Sequence, residues 1–538
     1  MNIDLGLMIK AFVGNYMDID EFLKLVSLIT GALLTLSIIA VSCIHRGRLI
    51  AGVKIFTAWL KSYSMQSARM VWKSDVKYLL LISLPLYTYL AITAPLTHDE
   101  ALTHSLFLTC PVSDTMMYYT FPNNHILFSL IAHVFIMLPG DLLFNMRLPV
   151  VLTAMLTLTV TYRFARKFYG EVVALTIVAV LSMSGMFLFY GFLARGYGLV
   201  VFFFAICLYT AFNIINENNR ARDWIIFSMS GALGMYAVPS FMYAFAAVNI
   251  YILFHNTKYV KKQVAYGILM LTATFFLYLP VLLGSGLRSL VRNPYVRPIS
   301  SDRVFSQLFD FFVETQESLF ASPVYITITL ILLSILFCIV KKDNKTLALW
   351  LIFCCTPILF VVLHSVIPFS RTFVYNTYAF VFLFVVTFRS LIRQISSRIL
   401  LFTLITIQAL LFLNFRVKEE SYLKPLAVFE TFTKNILAKG NSFYVVGANN
   451  SVSGLYYAFP NLQFETARSG RDYRIVYELG NGASADTISG YDYILIQSEL
   501  DETQVKIPTD SYFPDSRESQ FFKAPIHIYE EKTFQTTD

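Results

Sequence analysis

Residues 78–104, YLLLISLPLYTYLAITAPLTHDEALTH, decide how the rest of the chain is read. The apolar run Tyr78–Ala94 suits a helix entering a hydrocarbon core that takes about 20 helical residues to cross. It stops abruptly at Thr97-His98-Asp99-Glu100, followed by Thr103 and His104. Two carboxylates and two histidines thus emerge at a membrane boundary, where ionisable groups are default functional candidates. One reading is a polar helix end meeting water. The sharper one is a carboxylate withdrawn from water, with a raised pKa, acting as a base.

The same pattern recurs along the chain. Of 538 residues, 56% are apolar and only 14% charged, and the mean hydropathy is +0.61. About 25% charged is usual in soluble domains, so a disordered or nucleic-acid-binding chain is excluded and a polytopic helical membrane protein expected. Twelve candidate spans appear: Phe22–Val41, Tyr78–Ala94, Leu148–Tyr162, Val172–Phe189, Leu199–Ile215, Trp224–Val238, Ser240–Phe254, Val264–Leu283, Val324–Val340, Leu347–Leu363, Phe373–Thr387 and Ile399–Leu413.

The net charge of +8 reads as topology. Basic clusters between apolar runs, such as Lys54–Lys77, Arg163–Lys167, Arg220–Arg222 and Arg389–Arg398, place those loops inside. Parity then puts residues 96–147 and 284–323 outside. Ile126–Leu138 would invert every later loop if it crossed, so it is read as an interfacial helix.

From Asn414 the composition turns polar, with β-like stretches at Ser442–Val446, Leu462–Glu465, Tyr491–Gln497 and Ile526–Tyr529. The expected organisation is an extra amino-terminal span with a basic cytoplasmic segment (1–77), a membrane catalytic domain (78–413) and a small soluble α/β or α+β domain outside (414–538). No removable signal peptide, disulfide framework or internal repeat is expected.

Polar residues concentrate on the outer side. In Tyr118-Tyr119-Thr120-Phe121-Pro122-Asn123-Asn124-His125, Asn123, Asn124 and His125 could bond sugar hydroxyls, or form a turn. Arg147, Arg195 (in Ala194-Arg195-Gly196-Tyr197) and Arg371 oppose the positive-inside bias. Each could grip a phosphate bidentately, or snorkel to the interface. The loop arginines Arg288, Arg292, Arg297 and Arg303 are largely balanced by Asp302, Asp310, Glu314 and Glu317. His133, His255 and His364 are isolated and read as structural. No phosphate loop, zinc spacing or nucleophile elbow occurs.

The chain resembles the GT-C glycosyltransferases, and more narrowly bacterial relatives of the protein O-mannosyltransferases and of the lipid A aminoarabinose transferase. The resemblance rests on Asp99-Glu100-Ala101 with Thr103, Pro122-Asn123-Asn124-His125, Arg147-Leu148-Pro149 and Ala194-Arg195-Gly196-Tyr197, in order over roughly residues 80–215. Arg371 is the further match. It implies transfer of a hexosyl or pentosyl group from a polyprenyl-phosphate donor to a glycan, lipid or protein acceptor at the outer face of a bacterial inner membrane. Asp99 would be the general base of an inverting displacement. Glu100 would orient Asp99, touch the acceptor or help hold a metal. His98, Asn123, Asn124, His125, Arg147, Arg195, Tyr197 and Arg371 would bind substrate. No cofactor is required by the sequence, and a divalent metal is compatible with it. The alternative is a transporter or lipid flippase, which predicts ionisable residues at mid-membrane in repeated halves. A non-catalytic assembly factor is a third class.

Overall fold

The computed structural model describes residues 47, 50–62, 65–119, 122–216, 220–291, 298–320, 322–395, 399–416, 442–447, 464, 467–468, 474–479, 493–497, 512–514 and 526–531. The candidate span Phe22–Val41 lies outside them, as do Arg292 and Arg297. Each of the other candidate spans falls on a described helix, except Val172–Phe189, which falls on two.

Helix α1 (Val76–Thr93) ends at Ala94, and a short α2 (His98–Thr103) runs directly into a π-turn, His104–Leu108. Two short helices follow, α3 (Val112–Met117) and α4 (Ile126–Phe135). Helix α5 (Leu142–Tyr169) starts at the Asp141 cap, whose side chain accepts from Phe144 N–H, and stops at Gly170. Gly170 has φ +92°, a left-handed conformation that costs a residue with Cβ about 1 kcal/mol or more. The apolar run Val172–Phe189 is broken into α6 (Glu171–Ser182) and α7 (Gly185–Phe189). Then come α8 (Tyr197–Asn216), α9 (Ala221–Ala237), α10 (Phe241–His255), α11 (Val260–Gly284) and α12 (Gly286–Val291). The rest of the helical part comprises α13 (Ser301–Phe320), α14 (Val324–Val340), α15 (Asn344–His364), a 3₁₀ turn Ser370–Phe373, α16 (Val374–Thr387), α17 (Arg389–Ile392) and α18 (Ile399–Arg416).

Six described helices are long and apolar enough to cross a membrane: α1, α5, α8, α11 (with the preceding turn), α15 and α18. The pair α13 and α14, bent by 86°, would make a seventh. Several expected spans are therefore shorter helices. Helix α8 is the hub, with 83% of its apolar window buried, against 22% for α18. Exposed Phe402, Leu410 and Leu413 on α18 suit a lipid-facing rim, since acyl chains are as apolar as these side chains. Aromatic rings fill the hub: Phe164 stacks on Phe382 with centroids 4.8 Å apart, and Phe204 meets Tyr375 at 5.4 Å.

The polar carboxy-terminal stretch carries a five-stranded mixed sheet of order β2-β1-β3-β5-β4. Strand β1 (Ser442–Gly447) pairs in parallel with β2 (Arg474–Leu479) and β3 (Tyr493–Gln497). Strand β5 (Ile526–Glu531) runs antiparallel to β3 and β4 (Tyr512–Pro514). Three of the four β-like stretches lie on strands. Phe464, expected in a strand, is helical and fully buried. Its ring meets His104 edge-on at 5.0 Å, and Arg468 pairs with Asp141 at 2.7 Å.

Candidate active site

Asp99 and Glu100 are adjacent in sequence, and the first turn of α2 sends them to opposite fates. Thr97 caps that turn: its hydroxyl accepts from the Glu100 N–H at 3.3 Å, and the Glu100 carboxylate accepts from the Thr97 N–H at 3.0 Å. This reciprocal capping box pulls Glu100 back toward the protein interior. There Arg147 meets it in a fork, Nε to Oε1 at 2.8 Å and Nη2 to Oε2 at 2.7 Å, and both side chains have zero exposure. The other Arg147 N–H groups donate to the carbonyls of Ala91, Ala94 and Pro95, the acceptors left over at the end of α1. The Ala194 N–H completes the set, donating to Glu100 Oε1 at 2.7 Å. Burial alone would raise the Glu100 pKa, but Arg147 outweighs it and holds the carboxyl below its ordinary 4.5.

Two site expectations change here. Glu100, placed among the catalytic residues, and Arg147, among the substrate ligands, form a closed structural clasp. Arg147 does not precede the span but lies in the second turn of α5, buried. Every hydrogen-bonding direction of the pair is used within the fold, leaving none for a substrate. The signal for Glu100 was in the sequence: Thr-x-x-Glu before an apolar run is a capping-box pattern.

Asp99 faces the other way. Its Oδ2 lies 3.3 Å from Arg371 Nη1 and 3.8 Å from Arg195 Nη2, with the Asp99 side chain 26% exposed. Arg195 is held by its Nη1, which donates to Thr103 Oγ1 at 2.8 Å and to the carbonyls of Asp99 and Asn123 at 3.2 and 3.3 Å. Arg371, at the 3₁₀ turn entering α16, packs over the Phe369 ring at 4.5 Å and lies beside Tyr197. The expected raised Asp99 pKa is reversed. Burial pushes it up, but Arg195, Arg371 and His98 together hold it below the ordinary 3.8. A carboxylate facing two guanidinium groups is favoured in its charged form.

Two histidines border the centre as neutral groups. Gly196 N–H donates to His125 Nδ1 at 2.8 Å, which leaves the His125 proton on Nε2, and the ring stands edge-on to Tyr197 at 4.9 Å. Burial, then Arg195 and Arg371, push the His125 pKa down, so the ring is neutral. At Gly196 a Cβ would come within 2.8 Å of His125 Cβ and 2.9 Å of the Ala237 carbonyl, so this position requires glycine. His98 is half-buried beside Asp99, and burial lowers its pKa to about 3. Asn123 Nδ2 bonds the Asp99 carbonyl at 3.3 Å. Asn124, expected to bind substrate, is instead used up by the scaffold. Its Nδ2 donates to the carbonyls of Thr115 and Tyr118, both at 2.9 Å, and its Oδ1 accepts from Ser129 at 3.2 Å. Thr120 and Phe121 lie outside the described residues.

The charge balance defines what the centre can do. Glu100 and Arg147 cancel, leaving one carboxylate facing two guanidinium groups, one positive charge in excess. Arg195 Nε and Arg371 Nε are both buried without a hydrogen-bond partner among the described residues. Among the same residues, no group of three or more His, Cys, Asp or Glu side chains is placed to hold a metal ion.

Residues 123–283 match the dolichyl-phosphate-mannose-protein mannosyltransferase family model. The fold matches the crystal structure of ArnT from Cupriavidus metallidurans in the apo state, with a TM-score of 0.56 over 86% of this chain and 98% of that one at 12% identity. The chain is thus similar to that mannosyltransferase family over residues 123–283 and to ArnT in fold. A second ArnT structure, bound to undecaprenyl phosphate, gives a TM-score of 0.55 over 84% of this chain and 97% of that one, at 11% identity. No curated protein matches in sequence. The family match begins at Asn123, so Asp99 and Glu100 lie upstream of the matched segment and Arg371 downstream.

Proposed function

We propose that this protein is a GT-C glycosyltransferase that transfers a sugar from a polyprenyl-phosphate carrier to an acceptor hydroxyl of a glycan, lipid or protein, with inversion and with Asp99 as general base. The observation that carries this is the excess positive charge of Arg195 and Arg371, with a buried N–H on each still to be filled. A phosphate ester offers the matching oxygens and charge, and bidentate guanidinium–phosphate bonds are among the strongest hydrogen bonds in proteins.

Donor phosphate arriving on Arg195 and Arg371 competes with Asp99 for their charge. That loosens the ion pair that suppresses the basicity of Asp99, so the base is released as substrate binds. The acceptor oxygen then forms its bond to the anomeric carbon as the bond from that carbon to the phosphate oxygen breaks. The acceptor proton passes to Asp99, and the bond electrons leave with the phosphate. The leaving group is already a stable anion, so no general acid is needed and the arginines stabilise its growing charge. His98, Asn123, His125 and Tyr197 border the centre as neutral groups.

On this reading residues 78–413 are the catalytic unit and residues 414–538 a domain on the same side as Asp99. That side is the outer face of a bacterial inner membrane. The test is mass analysis of lipid-linked sugars and envelope glycans from cells carrying wild type or Asp99→Asn. The variant should accumulate a polyprenyl-phosphate sugar and lack one modification. Identical profiles would reject the proposal.

A further inference from the structure

Beside Arg195 stands a group of side chains that neither the phosphate nor the base uses. Tyr119, Tyr236 and Tyr278 cluster with Ile126 and Val281, apart from the main core, and all are buried. The Tyr236 and Tyr278 rings meet edge-on at 5.4 Å. Tyr278 is anchored, its hydroxyl donating to the Met235 carbonyl at 2.8 Å. Tyr119 is held by its backbone, whose N–H donates to Ser285 Oγ at 2.8 Å, and its phenol interacts electrostatically with Tyr197 and Arg195. Tyr190 and Tyr197 extend the aromatic wall, with centroids 4.6 Å apart. Helix α9 reaches the same wall, because the carbonyl of Ala237, next to Tyr236, is pressed against Gly196.

One atom in this wall is out of balance. Tyr236 is only 3% exposed, and its hydroxyl has no hydrogen-bond partner among the described residues. Leaving a buried hydroxyl unpaired is costly, and a phenylalanine would fill the same space without that cost. Buried tyrosines ordinarily find a partner for their O–H. The arrangement has flat apolar faces, one hydrogen-bonding group and, beside Tyr119, the Arg195 guanidinium. A sugar ring has the complementary surfaces: a face of C–H bonds, hydroxyls at its rim, and here a phosphate at its anomeric carbon.

We infer that the wall of Tyr119, Tyr236 and Tyr278 beside Arg195 is the sugar-selecting subsite for the transferred ring, with the Tyr236 hydroxyl bonding one of its hydroxyl or amino groups. This rests on the phosphate reading of Arg195 and Arg371. The tyrosines decide which sugar is held once the arginines hold its phosphate.

The experiment uses the full chain in nanodiscs, with two probes: undecaprenyl phosphate without sugar, and a panel of polyprenyl-phosphate pentoses and hexoses. Tyr236→Phe should bind undecaprenyl phosphate as wild type does and lose about five- to tenfold in affinity for the preferred sugar lipid, the effect of one hydrogen bond. Its melting temperature without ligand should hold or rise. Tyr278→Phe, which removes an anchor, should instead lower the melting temperature. Normal phosphate binding with unchanged sugar preference in Tyr236→Phe would overturn the subsite alone. So would equal loss for both probes, or a wild type that binds no sugar lipid better than the bare phosphate. A wild type indifferent to undecaprenyl phosphate would remove the phosphate reading and the subsite with it.

Discussion

The Glu100–Arg147 clasp and the Asp99–Arg195–Arg371 centre use the same two chemical groups, yet they do opposite work. The clasp has zero exposure, bidentate geometry and a protein partner for every group. The centre is open, with Asp99 26% and Arg371 30% exposed, longer contacts and spare N–H donors. A buried pair is stable only when its remaining hydrogen bonds are satisfied, and the clasp meets that condition. The centre leaves it unmet. A carboxylate's neighbours, rather than its position in a motif, say whether it is structure or chemistry.

The largest effect expected from breaking this contrast is on catalysis at the open side. Asp99→Asn keeps the size of the side chain and removes its charge, so sugar transfer should fall by about 10²–10⁴-fold, the usual worth of a positioned base. The melting temperature should shift little, because Asp99 is partly solvated. Single-turnover assays and thermal unfolding on the same preparation check both halves. A variant that retains near wild-type transfer would remove Asp99 as the base.

Breaking the closed side should do the reverse. Arg147→Ala leaves Glu100 charged and buried, a change that typically costs about 3–5 kcal/mol. Thermal unfolding in detergent or loss from the membrane fraction would report it. A paired apolar replacement, Glu100→Leu with Arg147→Met, often restores stability at buried pairs. Here recovery should be partial, since Arg147 also serves the carbonyls of Ala91, Ala94 and Pro95. Full recovery would mean those three bonds contribute nothing.

A third, smaller effect separates the two guanidinium groups of the centre. Arg371→Ala should weaken donor binding by about tenfold or more while leaving the fold intact, as expected for losing a charged hydrogen bond at a half-open position. Titration with a polyprenyl-phosphate sugar measures it. Arg195 is tied to Thr103, Asp99 and Asn123, so its removal should disturb α2 as well. Equal outcomes for the two arginines would contradict this division.

Much of the architecture is legible in the sequence because a bilayer forces apolar runs into helices, and the runs from Tyr78 to Leu413 all lie on helices. Span lengths are less legible. Val172–Phe189 reads as one run, but Gly185 takes φ +30° and sits where a Cβ would strike the Leu319 carbonyl, so the helix breaks. In the sheet, Arg474–Leu479 gives a weak signal because its apolar residues do not alternate, and its pairing with β1 comes from tertiary context. For the site, the sequence brings out Asp99, Arg195 and Arg371 as outer-face charges. It does not separate Arg147 from them, because the capping box that turns Glu100 inward also draws Arg147 in. The tyrosine wall is invisible in one dimension: residues 119, 236 and 278 come from a loop and two helices far apart in sequence.

The smallest effect concerns pH, and it tests whether the histidines around the centre are as neutral as their burial implies. Burial lowers His104 to about 4 and His98 to about 3, against an ordinary 6.5. Both rings are therefore neutral in the fold but take up protons in the unfolded chain as pH falls through 6.5. The sign follows: their contribution is present above 6.5 and is lost as pH drops toward the folded values. For His104, only 4% exposed, the loss is about 1.4 kcal/mol one unit below 6.5. Asp99 and Glu100, held below 3.8 and 4.5, stay charged throughout that range. Between about pH 7.5 and 5.5 the melting temperature should fall while donor binding by Arg195 and Arg371 stays level, since no group of the folded centre titrates there. His104→Phe should flatten the thermal slope and leave the binding curve unmoved. A binding curve that bends near 6.5 in wild type would place a charged histidine beside Asp99.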